Sequence, residues 1–383
     1  MSYIFCEKEH DLLRKSVREF AEKEIKPIAP ELDEKGEFSI ELTKKMGELG
    51  LFGVFVPEEY GGQEMDYLSY IIAVEEIARI DGSQAATVAA HNSLGIGPLL
   101  QFGTEEQKKK YLPQLCTGEG LWGFGLTEPE AGSDSRASKT TAKLESGNWV
   151  INGSKIFITN ASTEITKGSC VQAISGVDKK GRNEYSTIIV EQGTPGFDAQ
   201  TMHNKLMWRA SNTSELYFDN CTVPEENLLG KIGGGSKIML KTLDNGRLSI
   251  AAMGLGCAQG AYELALKYAQ ERIQFGRPIC KFQTIAFKLA DMAMKIELAR
   301  NLLYKATMLK QNHKPFELEA TMSKLYCSEI AKEVADDAVQ IHGGYGLMKD
   351  YDVERFYRDQ RLLQIGEGTS EIQRLVISRF IGC

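Results

Sequence analysis

In the stretch NWVINGSKIFITN, residues 148–160, two runs rich in β-branched and aromatic side chains flank Asn152-Gly153. Such runs read as strands, and Asn-Gly tolerates the positive φ angles of a tight two-residue turn, so the stretch predicts a β-hairpin. STIIVEQGTPGF (186–197) and ELYFDNCTVP (215–224) add runs of the same kind, each closed by turn residues. Strands grouped together, with no helical pattern between them, predict a small antiparallel sheet domain.

On both sides of this region the period changes. In KEHDLLRKSVREFAEKEI (8–25) the apolar residues Leu13, Val17, Phe20, Ala21 and Ile25 share one face of a 3.6-residue repeat. The same spacing recurs near 41–51, 67–80 and 105–115, with VPEEYGG (56–62) as a turn between. Beyond the strands, TIAFKLADMAMKIELARNLLYKATML (284–309) is apolar around most of its circumference, which predicts a helix inside a bundle. The expected fold class is therefore α+β and multidomain. A helical domain spans 1–120, a central antiparallel β-domain 121–232, and a C-terminal helical domain 233–383.

The 383 residues carry 42% hydrophobic and 25% charged side chains, as a globular protein does. A net charge of −7 without a basic stripe argues against nucleic acid as partner, and Lys108-Lys109-Lys110 reads as a solvated helix face. No apolar run reaches the ~20 residues of a membrane span. No secretory signal is legible, and the eight scattered cysteines form no C-x-x-C pair, which points to free thiols and a cytoplasmic location. The five histidines are isolated, so no metal is expected.

Several short stretches carry polar chemistry, each with an ordinary structural alternative. GLGCAQG (254–260) imitates a dinucleotide fingerprint, but it follows no strand and lies in a helical pattern, so close helix packing is the better reading. KIGGGSK (231–237) lacks phosphate-loop spacing and reads as a connection. TEPEAGSDS (127–135) is either a polar ligand loop or a surface turn. ERIQFGRPI (271–279) offers two arginines and an aromatic face for a nucleotide, or a salt-bridged loop. QIHGGYG (340–346) is a phosphate-approaching turn or a helix C-cap. In IGEGTSEIQR (365–374), Ser370 and Gln373 fit a capping box, and Glu367 stands between two glycines. It is either an acid near a positive helix end or an accessible base.

Together with NSLG (92–95), FGTEEQKKKYLP (102–113) and NGSKIFITN (152–160), these stretches resemble the acyl-CoA dehydrogenase family in order and spacing, most closely its short-chain, butyryl-CoA members. The resemblance covers practically the whole chain. It implies an N-terminal α-domain, a central β-domain and a C-terminal four-helix bundle, with FAD as cofactor and a homotetramer as assembly. Phe124, Leu126, Thr127 and Ser133 resemble flavin-lining positions, and Phe157, Ile158 and Thr159 the strand over the isoalloxazine, with Phe157 where Trp is usual. Arg272, Gln274, Phe275, Gln340, Gly343 and Gly344 resemble pyrophosphate and adenosine positions, part of them from a neighbouring subunit. Thr369 and Glu371 match positions near the adenosine half.

The implied reaction is α,β-dehydrogenation of an acyl-CoA, a step of β-oxidation, with electrons passing to an electron-transferring flavoprotein. Glu367 is expected to take the α-proton while the β-carbon gives a hydride to flavin N5. The backbone N–H of Glu367 and a flavin ribityl hydroxyl are expected to hold the enolate-like oxygen, which makes the small Gly368 sensible. The alternative base position of some relatives, before an arginine, is Gly246 here. Asp244 and Arg247 match CoA-contacting positions, and Ser133 is expected to reach the pantetheine arm.

Two departures stand out. Gly366 replaces the usual Tyr before the base, which implies a wider pocket and a branched or alicyclic acyl group. LMWRAS (206–211) replaces a glycine-containing loop and puts Trp208 near the flavin edge. His91, before NSLG, borders the acyl pocket in the family, either as a substrate contact or as a structural histidine. An oxidase or enoyl-CoA reductase on the same fold, and a non-catalytic flavin-binding module, are the other readings.

Overall fold

Helices α1 (Lys8–Phe20), α2 (Ala29–Lys35), α3 (Ile40–Glu48), α4 (Tyr67–Ala78), α5 (Gly82–Ala90), α6 (Gly97–Phe102) and α7 (Glu105–Leu115) fill the first region of the computed structural model, which describes residues 5–383. The first four residues of the N-terminal region lie outside the described ones. Side-chain caps set the starts of α3, α4, α5 and α7: Ser39 accepts from Leu42 N–H, Asp66 from Ser69 N–H, Asp81 from Gln84 N–H and Thr104 from Gln107 N–H. Every residue of α4 is buried, so this helix is the axle of the N-terminal region.

The central region holds β1 (Leu121–Gly125), β2 (Thr141–Glu145), β3 (Asn148–Thr159), β4 (Thr166–Val177), β5 (Asn183–Glu191), β6 (Phe197–Thr201), β7 (Thr213–Pro224) and β8 (Leu228–Leu229). The sheet order is β6-β7-β3-β2-β4-β5-β8, with β1 beside β4. Two details differ from the sequence reading. Asn152-Gly153 is no hairpin turn, because β3 runs straight through it and pairs with β7 on both sides. The register slips there instead, and Gly153 (φ +141°) passes so close to Thr140 that a Cβ would stand 2.6 Å from its Oγ1. The turn lies six residues earlier, where Ser146 and Gly147 (φ +49° and +80°) join β2 to β3. The sheet is also not wholly antiparallel, since β1 and β2 both run parallel to β4.

Helices α8 (Gly235–Glu271), α9 (Gln283–Gln311), α10 (Glu317–His342) and α11 (Val353–Leu363) form the C-terminal bundle, and α12 (Ser370–Phe380) packs on α10. Between α8 and α9 a small hairpin pairs β9 (Ile273–Gln274) with β10 (Arg277–Pro278). The glycines of GLGCAQG serve packing: a Cβ on Gly256 would stand 2.3 Å from Glu75 O, and one on Gly260 2.1 Å from Arg79 O. Both obstacles are backbone and cannot swing away. Gly260→Ala is therefore expected to cost about 1–3 kcal/mol by overpacking, read as a lower melting temperature.

The N- and C-terminal helices share one apolar core, whereas the sheet has its own around Trp149, Ile151 and Leu216. Helix α9 does not sit inside the bundle on all sides. It buries Leu289, Met292, Ile296 and Leu303 but leaves Phe287, Met294 and Leu298 exposed. No helix among the described residues is long and apolar enough to cross a membrane. All eight cysteines are free.

Candidate active site

After α11 the chain turns through 364–367 and enters α12. The N-cap is Thr369, whose hydroxyl accepts from Ile372 N–H at 3.3 Å, so Ser370 and Gln373 do not form the expected capping box. Gln373 is turned back into the protein, where its Nε2 donates to Glu367 O (3.2 Å) and Gly368 O (2.9 Å). Lys324 on α10 donates from Nζ to the same Gly368 O at 2.7 Å. These donors hold two successive residues at positive φ, Glu367 at +53° and Gly368 at +94°. Glutamate rarely adopts that conformation, and its neighbours must fix it there.

Glu367 as a residue is partly exposed, but its Oε2 is buried and has no hydrogen-bond partner. The carboxylate lies against α8 at Gly246, where a Cβ would stand 1.7 Å from Oε2. Desolvation pushes its pKa up to about 7, and the Lys324 and Arg247 charges hold it from going further. The N–H of Glu367 has no protein acceptor among the described residues. Tyr67 and Tyr70 of α4 feel the Glu367 charge and are both raised, chiefly by burial. An unsatisfied buried carboxylate beside a free backbone donor suits proton removal next to a carbonyl.

Arg247 pairs with Asp244 at 2.8 Å one helical turn apart, and both are buried. The Arg247 Nε is left without a partner, so a donor remains free in this wall. Burial pushes the Asp244 carboxyl up and the Arg247 guanidinium down.

The positions expected to line a flavin fall into two groups. On the sheet, Phe124 lies at the end of β1, and Thr127 O accepts from Ile156 N–H at 2.9 Å, which sets Leu126 and Thr127 beside Phe157, Ile158 and Thr159. Phe157 has φ +62° and is 61% exposed, an aromatic face held out and covered by nothing in this chain. The TEPEAGSDS turn bearing exposed Ser133 is anchored by a buried Glu128–Lys155 pair at 2.7 Å. Thr369 adjoins Glu367, and exposed Glu371 is on the first turn of α12.

The second group is elsewhere. Arg272, Gln274, Gly343 and Gly344 line one cleft of roughly 600 Å³ with Tyr268 and His342, and Gln340 precedes it on α10. Phe275, at the tip of the β9–β10 hairpin, is 93% exposed. This cleft excludes Glu367, because Gly246 lies in the first half of α8 and Arg272 just past its C-terminal end, roughly 39 Å apart at about 1.5 Å per residue. The expected positions thus lie in two separate places on one chain. An arginine fork, glycine turns and exposed aromatic faces fit a flavin dinucleotide, but a single such molecule does not span both.

His91 offers nothing to a substrate. It is buried in a π-helical segment, Nε2 donates to Leu115 O at 2.8 Å, and Nδ1 accepts from Trp122 N–H at 3.2 Å. Burial holds it neutral, down to about 4. Trp208 is buried at φ +46°, and its N–H donates to Asp359 Oδ1 of α11 at 2.9 Å, tying the sheet to the C-terminal bundle. At Gly366 a Cβ would meet Leu362, its side chain 3.0 Å away and its carbonyl oxygen 3.6 Å away. Lys324 was missed in the sequence, although it interrupts the buried stripe Ala320, Cys327 and Ala331 at helical spacing. A lysine in such a stripe is the available signal.

Family models described as the N-terminal, middle and C-terminal domains of acyl-CoA dehydrogenase match residues 7–119, 123–221 and 233–382. A short-chain specific acyl-CoA dehydrogenase of Clostridium acetobutylicum is 49% identical over 97% of both chains. The butyryl-CoA dehydrogenase of Megasphaera elsdenii superposes with a TM-score of 0.95 over 100% of both chains at 43% identity. A chain solved in work on the electron transferring flavoprotein of Acidaminococcus fermentans also gives 0.95 over 100% of both, at 46% identity.

Proposed function

Because this chain belongs to the acyl-CoA dehydrogenase family, we propose that it oxidises a short acyl-CoA between its α- and β-carbons, with Glu367 as the base. The chain is an FAD-dependent oxidoreductase of the acyl-CoA dehydrogenase type. The observation that carries the assignment of the base is the buried, unpartnered Glu367 carboxylate seated on Gly246.

A thioester α-proton is far too weakly acidic for an ordinary carboxylate. Desolvation makes Glu367 a stronger base, and the unpartnered Glu367 N–H is placed to take the developing negative charge on the thioester oxygen. Bound FAD supplies the hydride acceptor. Arg247, steadied by Asp244, is the donor for the CoA portion. Phe124, Leu126, Thr127, Ser133 and Phe157–Thr159 would hold the flavin from the sheet, and Thr369 and Glu371 from the start of α12.

The Arg272 cleft, with Gln274, Phe275, Gln340, Gly343 and Gly344, would serve the cofactor of a second copy. That sharing, and the exposed Phe287, Met294 and Leu298 on α9, support a homotetramer. An electron-transferring flavoprotein is the electron acceptor this reading favours, by likeness to the Acidaminococcus chain. The free cysteines favour the cytoplasm.

For the acyl group, the relatives favour a short chain. The absent side chain at Gly366, where the closest approach is the rotatable Leu362 side chain, favours room for a branched or alicyclic acyl group. The test is anaerobic: the yellow protein is mixed with butyryl-, isobutyryl- and cyclohexanecarboxyl-CoA, and bleaching is followed. Bleaching by a branched or cyclic thioester at least as fast as by butyryl-CoA is expected; strong preference for butyryl-CoA sinks the wider pocket. No bleaching by any acyl-CoA sinks the dehydrogenase reading. Since Glu367 acts only when ionised, kcat/KM with the best substrate is expected to rise with pH through about 7.

A further inference from the structure

We propose that Lys324 is a positioning residue for this reaction, its buried ammonium fixing the Gly368 carbonyl so that the left-handed Glu367–Gly368 turn presents base and backbone donor together. The inference rests on Glu367 being the base.

Lys324 is 0% exposed, two turns into α10, 44 residues before the carbonyl it binds. Burying an ammonium costs several kcal/mol unless its charge is used. A methionine or leucine would fill the same stripe beside Ala320, Cys327 and Ala331 more cheaply. The sole acceptor of Lys324 Nζ among the described residues is Gly368 O, the carbonyl that also accepts from Gln373 Nε2. Two donors from two helices therefore converge on one peptide unit. That unit fixes ψ of Gly368, and Gln373 reaches the preceding carbonyl as well. The lone N–H of Glu367 belongs to the same turn, so its direction depends on this clamp.

The ammonium acts on the carboxylate too. The charged groups around Glu367 are Lys324 of α10 and Arg247 of α8, with the tyrosines Tyr67 and Tyr70 on α4. Around Lys324 stand Glu367, Arg247, Glu329 and Glu371, and burial lowers Lys324 to about 8. Removing the ammonium leaves Arg247 as the one nearby cation opposing desolvation of Glu367. The base then holds its proton to higher pH.

The experiment uses the FAD-loaded protein, butyryl-CoA and an artificial electron acceptor, comparing the unchanged chain with Lys324→Met, Lys324→Gln and Glu367→Gln. In Lys324→Met, kcat is expected to fall roughly 10- to 100-fold with KM nearly unchanged. Its acid limb is expected to move up by about one pH unit. Lys324→Gln keeps a donor for Gly368 O but no charge, so it should recover part of kcat and still show the shifted limb. A limb and kcat that stay put in both variants overturn the proposal. So does a loss confined to melting temperature or flavin content, since that is what a mere tether between α10 and the 364–368 turn would give. Near-normal turnover in Glu367→Gln instead overturns the choice of base, which separates the two failures.

Discussion

Glu367→Gln is expected to lower kcat between about 10²- and 10⁴-fold while leaving flavin content and CoA binding near those of the unchanged protein. The amide matches the carboxylate in size, so the packing against Gly246 survives. Its backbone stays clamped, because Gln373 and Lys324 grip carbonyls and not the side chain. What disappears is the basic lone pair. The buried site also loses a desolvated charge, so melting temperature near pH 8 should hold or rise, even though Lys324 and Arg247 lose a counter-charge. Turnover assays with flavin absorbance and a CoA-binding titration read all three quantities. Substantial residual kcat would place the base elsewhere.

The second large effect is expected at Gly246, on the helix opposite. In Gly246→Ala the new methyl would lie where the Glu367 carboxylate now sits, with Oε2 only 1.7 Å from the Cβ position. The obstructing atom is the far end of a rotatable side chain, so the least costly response is for the carboxylate to swing away. A base displaced by an ångström or more loses about 100-fold or more in rate. Stability should move the other way, because alanine inside a helix is favoured over glycine by about 1 kcal/mol. Lower kcat with an unchanged or higher melting temperature is the signature. Gly260→Ala is its counterpart: there the obstacle is a backbone carbonyl, and the substitution should destabilise. A fall in melting temperature with intact turnover in Gly246→Ala would show that α8 gives way and the carboxylate does not.

The two substitutions show how far a sequence pattern reaches. GLGCAQG was legible as helix packing, since small residues at helical spacing have few other uses. Gly246 was legible only as a position that cannot ionise. Its actual part, making room for a carboxylate 121 positions later, depends on α8 and the 364–368 turn meeting in space. The Asn152-Gly153 reading failed for a related reason. Asn-Gly permits a turn, but the pairing of β3 with β7 through both residues used their freedom for a bulge instead, and the turn went to Ser146-Gly147.

By itself the sequence determined the helical, β and helical order and the grouping of strands, because periodicity is a local property of which faces are buried. Its short motifs also carried the family resemblance and the choice of Glu367. Tertiary structure alone decided the rest: that Oε2 of Glu367 is dry and unpartnered, that Lys324 and Gln373 grip the turn from two helices, and that His91 has spent both ring nitrogens on backbone. It also set the Arg272 cleft and Glu367 far apart along one long helix. These are questions of solvation and long-range contact. A pKa and a clamp are made by whatever packs around a group, and neighbours far away in the chain cannot be read from its local pattern.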